Sequence, residues 1–451
     1  MTLATAAATG LAALAGAAPA QAADAPLRDL AEAKGVYIGN ALAAGKLDGN
    51  ARYRQIAGQE FNWVTAENAM KWGVLEPSRG NYDWSGADRI MEFAAANGQQ
   101  VRGHTLVWHS QAPGWLENGG FPAAELRGLM YDHIDTTMGR YQGRIAHWDV
   151  VNEAFNESGG FRDSFWYRTL GESYIADAFR RARQADPSAD LYINDYNVEG
   201  VNAKSTAMYN LVRDLKAQGV PIDGVGLQAH LITGQVPSSL QQNIQRFADL
   251  GVDVAITELD IRMNLPADAG KLAQQARDYR TVVEACLAVS RCVGVTGWGI
   301  SDADSWVPDV FEGQGAATMY DSGYNPKPAY DAVAQALGGT GDDDDDPPGN
   351  GDGDGCTADY TVASQWNTGF TGNVAITCSG GSLNGWTVSW DFPAGQRLSQ
   401  AWNAGCTQSG ARVTCTNAGW NGTVPDGGSV SFGFNAEWSG SNPSPDTVTV
   451  S

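Results

Sequence analysis

Between residues 36 and 298, short apolar runs alternate with longer segments in which apolar residues recur every three to four positions. The runs are VYIGN (36–40), FNWVTAEN (61–68), VRGHTLVW (101–108), HWDVVNE (147–153), LYIND (191–195), VGLQAH (225–230), VAITELD (254–260) and VGVTGW (293–298). Each has the length of one strand in a sheet buried on both faces. Segments between them, such as SYIADAFRRARQ, AMYNLVRDLKAQG and ARDYRTVVEACLAV, carry the helical period. Eight strand–helix units in succession predict an α/β protein, a (β/α)8 barrel of the TIM type over residues 24–337, rather than an open doubly wound sheet.

The endings of the runs sharpen this picture. They are polar or aromatic: Asn40, Glu67 with Asn68, His104, Asn152 with Glu153, Asn194, Gln228, Glu258 and Trp298. In a closed parallel barrel these ends converge on one rim, where active sites of this architecture are built. One such residue is ordinarily a cap or a loop hydrogen bond. A whole rim of them predicts a site.

Past residue 337 the texture changes. Residues 338–355, GGTGDDDDDPPGNGDGDG, cannot bury a core and read as an extended, self-repelling linker. The Asp run lacks the closing Glu of an EF-hand loop and is not read as a calcium site. Residues 356–451 are rich in Gly, Ser, Thr, Asn and Trp and alternate with period two. In GWTVSWDF, Trp386, Val388, Trp390 and Phe392 share one face and Thr387, Ser389 and Asp391 the other, which predicts a separate all-β sandwich.

At the other end, residues 1–23 read as a secretion signal with a small-x-small site at Ala20-Gln21-Ala22, implying a secreted, extracellular protein. No Lys or Arg precedes Arg28, so the natural start is expected further upstream. No other segment is apolar for long enough to span a membrane. The net charge of −22, from 29 basic and 51 acidic residues, argues against nucleic acid or an anionic membrane as partner. Six cysteines, all after residue 285 and without a CxxC pair, suit disulfides in an oxidising compartment and not a metal site. Fifteen tryptophans point to flat apolar recognition, as on carbohydrate faces.

Glu153 and Glu258 end the fourth and seventh predicted strands, so they can face one another across the barrel mouth. Glycoside cleavage uses such a pair, and retention of configuration needs the two carboxyl groups about 5–5.5 Å apart. One gives a proton to the leaving oxygen while the other attacks the anomeric carbon, and their surroundings separate the two roles.

The motifs TAENAMKW (65–72), RGHTLVWHSQ (102–111), WDVVNEAF (148–155), LQAHL (227–231), ITELDI (256–261) and GWGISDADSW (297–306) occur in collinear order. Over residues 25–337 the chain resembles glycoside hydrolase family 10, the endo-β-1,4-xylanases. The resemblance implies a retaining enzyme without cofactor or metal, xylan as substrate, Glu153 as acid/base and Glu258 as nucleophile. It implies that Asn152 bonds the sugar 2-hydroxyl and that His230, supported by Asp260, orients Glu258. Glu67, Asn68, Lys71, His104 and Gln111 would bind sugars on the non-reducing side. Trp108, Trp298 and Trp306 would wall the cleavage-site sugar, with Gln228 also contacting substrate and Tyr196 lining the leaving-group side. Trp306 would crowd the space of a glucose CH2OH, favouring xylan over the alternative reading, an endo-β-1,4-glucanase with the same mechanism. A catalytically silent wall-binding protein is the alternative from another class. Cys286 and Cys292 match a family disulfide. His109, His133 and His147 read as structural, Asp135, Asp149 and Asp195 as caps or supporting hydrogen bonds, and Asp302 and Asp304 as turn formers.

CTADYTVASQWNTGFTGNVAIT, NGWTVSWDFPAGQRLSQAWN and NAGWNGTVPDGGSVSFGFNAEWSGSN resemble carbohydrate-binding module family 2. This implies cellulose as a second partner, bound by Trp366, Trp402 and Trp420, with Trp386 in the core. The closing strand of such modules is not evident before Ser451, so a C-terminally truncated module is expected. Cys406 and Cys415 suit a local hairpin and Cys356 would pair with Cys378 by default, but the four cysteines allow three connectivities. A monomer is expected.

Overall fold

The computed structural model describes residues 25–339, 356–366, 368–378, 382–425, 427–439, 442–445 and 448–450. The predicted signal, and the predicted linker apart from Gly338 and Gly339, lie outside the described residues. The described chain falls into two compact units, one on either side of that linker.

In the first unit, strands β1 (Tyr37–Leu42), β2 (Trp63–Ala66), β3 (Gln100–Gly103), β4 (His147–Asn152), β5 (Asp190–Asp195) and β6 (Gly224–Leu227) pair in parallel and in order. A short strand, β7 (His230–Ile232), is followed by β8 (Asp253–Asn264) and β9 (Cys292–Gly297). β6 pairs with β8, β8 with β9, and β9 with β1, closing an eight-stranded parallel barrel.

Helices pack outside it through apolar stripes. Ser173–Ala185 buries Tyr174, Ile175, Ala178, Phe179 and Ala182, the i, i+4 spacing visible in its sequence. Burying a side chain such as Phe179 contributes about 1.5–3 kcal/mol. Ala203–Ala217 starts at Asn202, which accepts from Ser205 N while the Ser205 hydroxyl bonds back, and Asp268 caps Ala269–Leu287 by accepting from Lys271 N. The disulfide Cys286–Cys292 ties that helix to the start of β9.

β8 runs beyond the predicted stretch because its far end finds partners of its own. Asp260, Ile261 and Arg262 pair with β7, and Met263 and Asn264 pair with Gln314 and Gly315. Against β9 its register shifts between Ile256 and Leu259. Thr257 and Glu258 thus oppose the single residue Thr296, a β-bulge at the rim.

The second unit holds two four-stranded antiparallel sheets, with a two-stranded ribbon of Leu383–Asn384 and Thr423–Val424 beside them in the chain. One has the order Cys356–Trp366, Gly369–Cys378, Ser429–Glu437, Arg397–Trp402; the other has Ala404–Ser409, Arg412–Asn417, Thr387–Asp391, Val448–Val450. Its core includes Trp386, Val388, Trp390 and Phe392, the alternation read from GWTVSWDF. Val448–Val450 gives the second sheet an edge strand where the sequence reading expected none. Cys356 bonds Cys378, and Cys406 bonds Cys415; each pair faces its partner directly across two adjacent antiparallel strands.

Candidate active site

The two glutamates come from strands that do not touch, β4 and β8, with β5 and β6 between them in the sheet. Glu153 N donates to the Asn194 carbonyl at 2.8 Å, and Glu258 N donates to the Gln228 carbonyl at 2.9 Å. Glu153 leaves β4 with a φ of +56°, left-handed backbone that an L side chain adopts at a cost of about 1–3 kcal/mol. The turn is held from below: Phe155 N donates to Asp195 Oδ2 at 3.1 Å, and Arg162 Nε donates to the Glu153 carbonyl at 2.9 Å.

Glu258 is the more enclosed, its side chain 6% exposed against 14% for Glu153. Asn194 Nδ2 donates to its Oε1 at 2.7 Å and His230 Nε2 to its Oε2 at 3.2 Å. Burial alone would raise the proton affinity of Glu258, but the electrostatic pull of His104 and the His230 bond outweigh it and hold the carboxyl below its ordinary value. Burial would likewise strip the proton from His230. Asp260, whose Oδ2 takes the Nδ1 proton at 3.0 Å, and Glu258 reverse that and push His230 up to about 10. His230 is therefore an imidazolium bridging two carboxylates.

An amide chain joins the two glutamates. Thr257 Oγ1 donates to Asn194 Oδ1 at 2.6 Å, fixing the Asn194 NH2 toward Glu258 and, at 2.9 Å, toward Asn152 Oδ1. Gln228 Nε2 then donates to Asn152 Oδ1 at 3.3 Å and to Glu153 Oε1 at 3.2 Å. Sequence reasoning placed Asn194 only as a strand end. Its signal was there, since it occupies on β5 the rim position that Asn152 occupies on β4.

Around this centre the other predicted residues assemble. Lys71, buried and lowered in pKa by that burial, is opposed by the charges of Glu258, Glu67 and Glu153 together. Its Nζ donates to Asn68 Oδ1 at 2.8 Å and lies 5.2 Å from the Trp108 ring centre, while Asn68 Nδ2 donates to Glu67 Oε1 at 3.0 Å. His104 meets Trp298 edge-on at 5.3 Å, and His230 meets Trp306 at 4.9 Å. Gln111 stands exposed at the margin, its carbonyl accepting from Gly73 N. Tyr196 accepts from Arg162 at 2.9 Å and lies over Lys204 Nζ, 3.4 Å from its ring centre. On that side a cavity of about 390 Å³ opens beside His230, lined also by Glu157, Asn197, Lys204, Gln235 and Arg262.

Asp149 and Asp195 make the supporting bonds expected of them, and each also carries an ion pair. Asp149 is buried and ion-paired to Arg102, which is equally buried, and its Oδ2 also bonds His104 Nδ1 at 3.0 Å. Asp195 pairs with the buried Lys204 at 3.0 Å, and burial pushes it up to about 7. Asp302 and Asp304 lie in the expected turn, Asp304 N donating to the Ser301 carbonyl at 2.8 Å, and each is also charge-paired: Lys327 donates to Asp302 at 3.1 Å, and Lys46 pairs with Asp304 at 2.6 Å. Asp135 makes a supporting bond, both of its oxygens accepting from Arg181. His109 is neutral near pH 7, burial and nearby Arg162 and Lys204 lowering it to about 4, and its Nδ1 lies 3.9 Å from Glu153 Oε2. His133 stacks on Trp72 at 3.8 Å and His147 is buried among Trp63 and Tyr192. Among the described residues no cluster of His, Cys, Asp and Glu is fit to hold a metal ion.

In the second unit Trp366, Trp402 and Trp420 are 49%, 38% and 73% exposed, whereas Trp386 is in the core. Two of them lie over glycine. A Cβ at Gly369 would come within 2.7 Å of the Trp366 ring, and one at Gly433 within 2.4 Å of the Trp402 ring, so only glycine lets these rings sit down on the sheet. Trp438 donates to the Trp366 carbonyl at 3.1 Å and packs against the core.

Residues 356–451 match the model of a cellulose binding domain. Among curated proteins, an endo-1,4-beta-xylanase of Agaricus bisporus is 54% identical over 299 residues, 66% of this chain and 90% of that protein. Endo-1,4-beta-xylanase A of Phanerodontia chrysosporium is 48% identical over 317 residues, 70% of this chain and 78% of that one. Among solved structures, xylanase 10B of Thermotoga maritima superposes with a TM-score of 0.68 at 42% identity, covering 69% of this chain and 98% of its own. Xylanase 10B of Thermotoga petrophila RKU-1, solved with xylobiose, gives 0.69 at 41%, covering 70% and 98%. With residues 26–336 matching the family model over the whole barrel, rim included, the chain belongs to glycosyl hydrolase family 10.

Proposed function

We propose that this chain hydrolyses internal β-1,4-xylosidic linkages of xylan with net retention, Glu258 acting as nucleophile and Glu153 as acid/base, and that its C-terminal module binds cellulose. The observation that carries the chemistry is the unequal housing of the two glutamates. Glu258 is enclosed and held ionised by donors on both oxygens, while Glu153 is reached by Gln228 and open to the cleft. In this reading Glu258 attacks the anomeric carbon, the glycosidic C–O bond breaks, and Glu153 gives its proton to the departing oxygen. Water then gives a proton back to Glu153 as it attacks the glycosyl–Glu258 ester, releasing a β-configured end. The named relatives, one solved with xylobiose, support xylan as the polymer.

Asn152 bonds the 2-hydroxyl. Glu67, Asn68, Lys71, His104 and Gln111 hold the non-reducing-side sugars, Trp108, Trp298 and Trp306 wall the sugar at the break, and Gln228, His230 and Tyr196 line the rest. His230 and Asp260 orient Glu258. Trp366, Trp402 and Trp420 lie on cellulose, raising the barrel's local substrate concentration. The enzyme is secreted and acts as a monomer, since every site residue comes from one barrel. Product NMR on unsubstituted xylan tests this. Fresh ends are expected in the β configuration, with turnover on xylan far above that on carboxymethyl-cellulose. Fresh α ends overturn the mechanism, and a dominant rate on the cellulose derivative overturns the substrate.

A further inference from the structure

The segment that follows β9 carries Trp306 and is tied down at three points. Asp304 is ion-paired with Lys46 and accepts from the Tyr324 hydroxyl, both at 2.6 Å, and Asp302 accepts from Lys327 and Thr318. The third tie differs in kind: Trp306 Nε1 donates to Asp260 Oδ2 at 2.7 Å. Asp260 has no exposed surface, and the same oxygen receives His230 Nδ1, whose Nε2 donates to Glu258. Asp260 Oδ1 has no hydrogen-bond partner among the described residues. A buried carboxylate thus rests on two donors that converge on one oxygen, and one of them is the indole of a half-buried ring facing the cleft.

We propose that Trp306 is a positioning residue for the nucleophile: its indole N–H, through Asp260 and His230, holds the Glu258 carboxylate in its attacking orientation. This rests on Glu258 being the nucleophile. A sugar substituent that pushes Trp306 aside then also loosens the nucleophile, so a glucoside is disfavoured in kcat as well as in fit.

The electrostatic direction follows from the groups that face these atoms. Around Asp260 they are His230, Arg262 and Tyr279; around Glu258 they are His230, His104, Asp149 and Lys71. Without the indole donor, Asp260 competes harder for the shared His230 proton. Less positive charge then reaches Glu258, which keeps its own proton to higher pH.

The test uses the full chain and 4-nitrophenyl β-xylobioside, with Trp306→Phe and Trp306→Tyr, which keep an aromatic wall but lack the indole N–H, and with Asp260→Ala alone and combined with Trp306→Phe. The expected result for Trp306→Phe is a fall in kcat on the order of tenfold, KM within about twofold, and an acid limb of the pH profile moved upward. In the Asp260→Ala background the same change is expected to cost less than about twofold. Wild-type kcat and acid limb in both aromatic variants, or an undiminished penalty without Asp260, overturn the proposal. The two single variants decide it even where Asp260→Ala does not fold. The underlying reading is checked separately by Glu258→Gln, whose retained turnover would remove the nucleophile assignment itself.

Discussion

At the barrel rim, Glu258, His230 and Asp260 are packed below Trp298 and Trp306, and every charge has a partner within hydrogen-bond reach. On the second unit, Trp366, Trp402 and Trp420 stand in the open, and two of them lie over glycines. Both regions use tryptophan, but for different ends. In the proposed reading the ring at the rim excludes water and steadies charge, whereas on the module the exposed flat face is itself the useful part. Bond breaking demands charges fixed before the substrate arrives, in a place too dry to screen them. Adhesion to a polymer demands apolar area already in shape, with little side-chain freedom left to lose. The rim should therefore fail steeply when one group is removed, and the module gradually.

The widest separation is expected from Glu258→Ala. It should lower xylan hydrolysis on the order of 10^5-fold while leaving cellulose retention intact. Azide should restore turnover of activated aryl xylobiosides and yield the α-glycosyl azide; the β product would assign the missing group as acid/base instead. Next comes Arg102→Met, which leaves Asp149 buried without its guanidinium and with His104 as its remaining side-chain partner, and should cost the barrel about 3–5 kcal/mol in denaturant unfolding. A barrel transition unchanged by it would contradict that burial.

The third expectation is a pH dependence. His230 is raised from 6.5 to about 10, so the stability it contributes is fully present below pH 6.5 and is lost as pH rises through about 10. Barrel unfolding followed from pH 6.5 to 10 should show this decline, and His230→Gln should flatten it. Smallest is Trp420→Ala, which should weaken cellulose binding by about 1–2 kcal/mol with unchanged rates on soluble xylan. A loss of soluble-substrate activity would break the division of labour between the two regions.

Much of this was legible in the order of residues. The eight apolar runs and their polar endings mark the barrel and its rim, because strand burial and strand termination are local properties. The alternation through Trp386, Val388, Trp390 and Phe392 marked the module's core for the same reason. What escaped depends on partners far apart along the chain. Arg102 sits between Val101 and Gly103 on β3 and is paired by Asp149 forty-seven positions later; nothing local tells a buried Arg from a solvated one. Asp302 and Asp304 are the turn residues they look like, but their ion pairs come from Lys327 and Lys46, which only the fold brings against them. The Asn194 link required knowing that β5 lies beside β4 in a definite register.

The bulge that sets two residues of β8 against one of β9 bears on how this activity is encoded. Side chains of a strand change sides at every step, so deleting one residue there would straighten the ladder and reverse the sidedness of all that follows or precedes it. Glu258 and Asp260 would still be spelled out in the gene, and the barrel would still have eight strands to close, yet the proposed nucleophile or the residues that hold it would point the wrong way. The chemistry is written in the number of residues as well as in their kinds, and a motif search that ignores spacing would pronounce such a mute barrel intact.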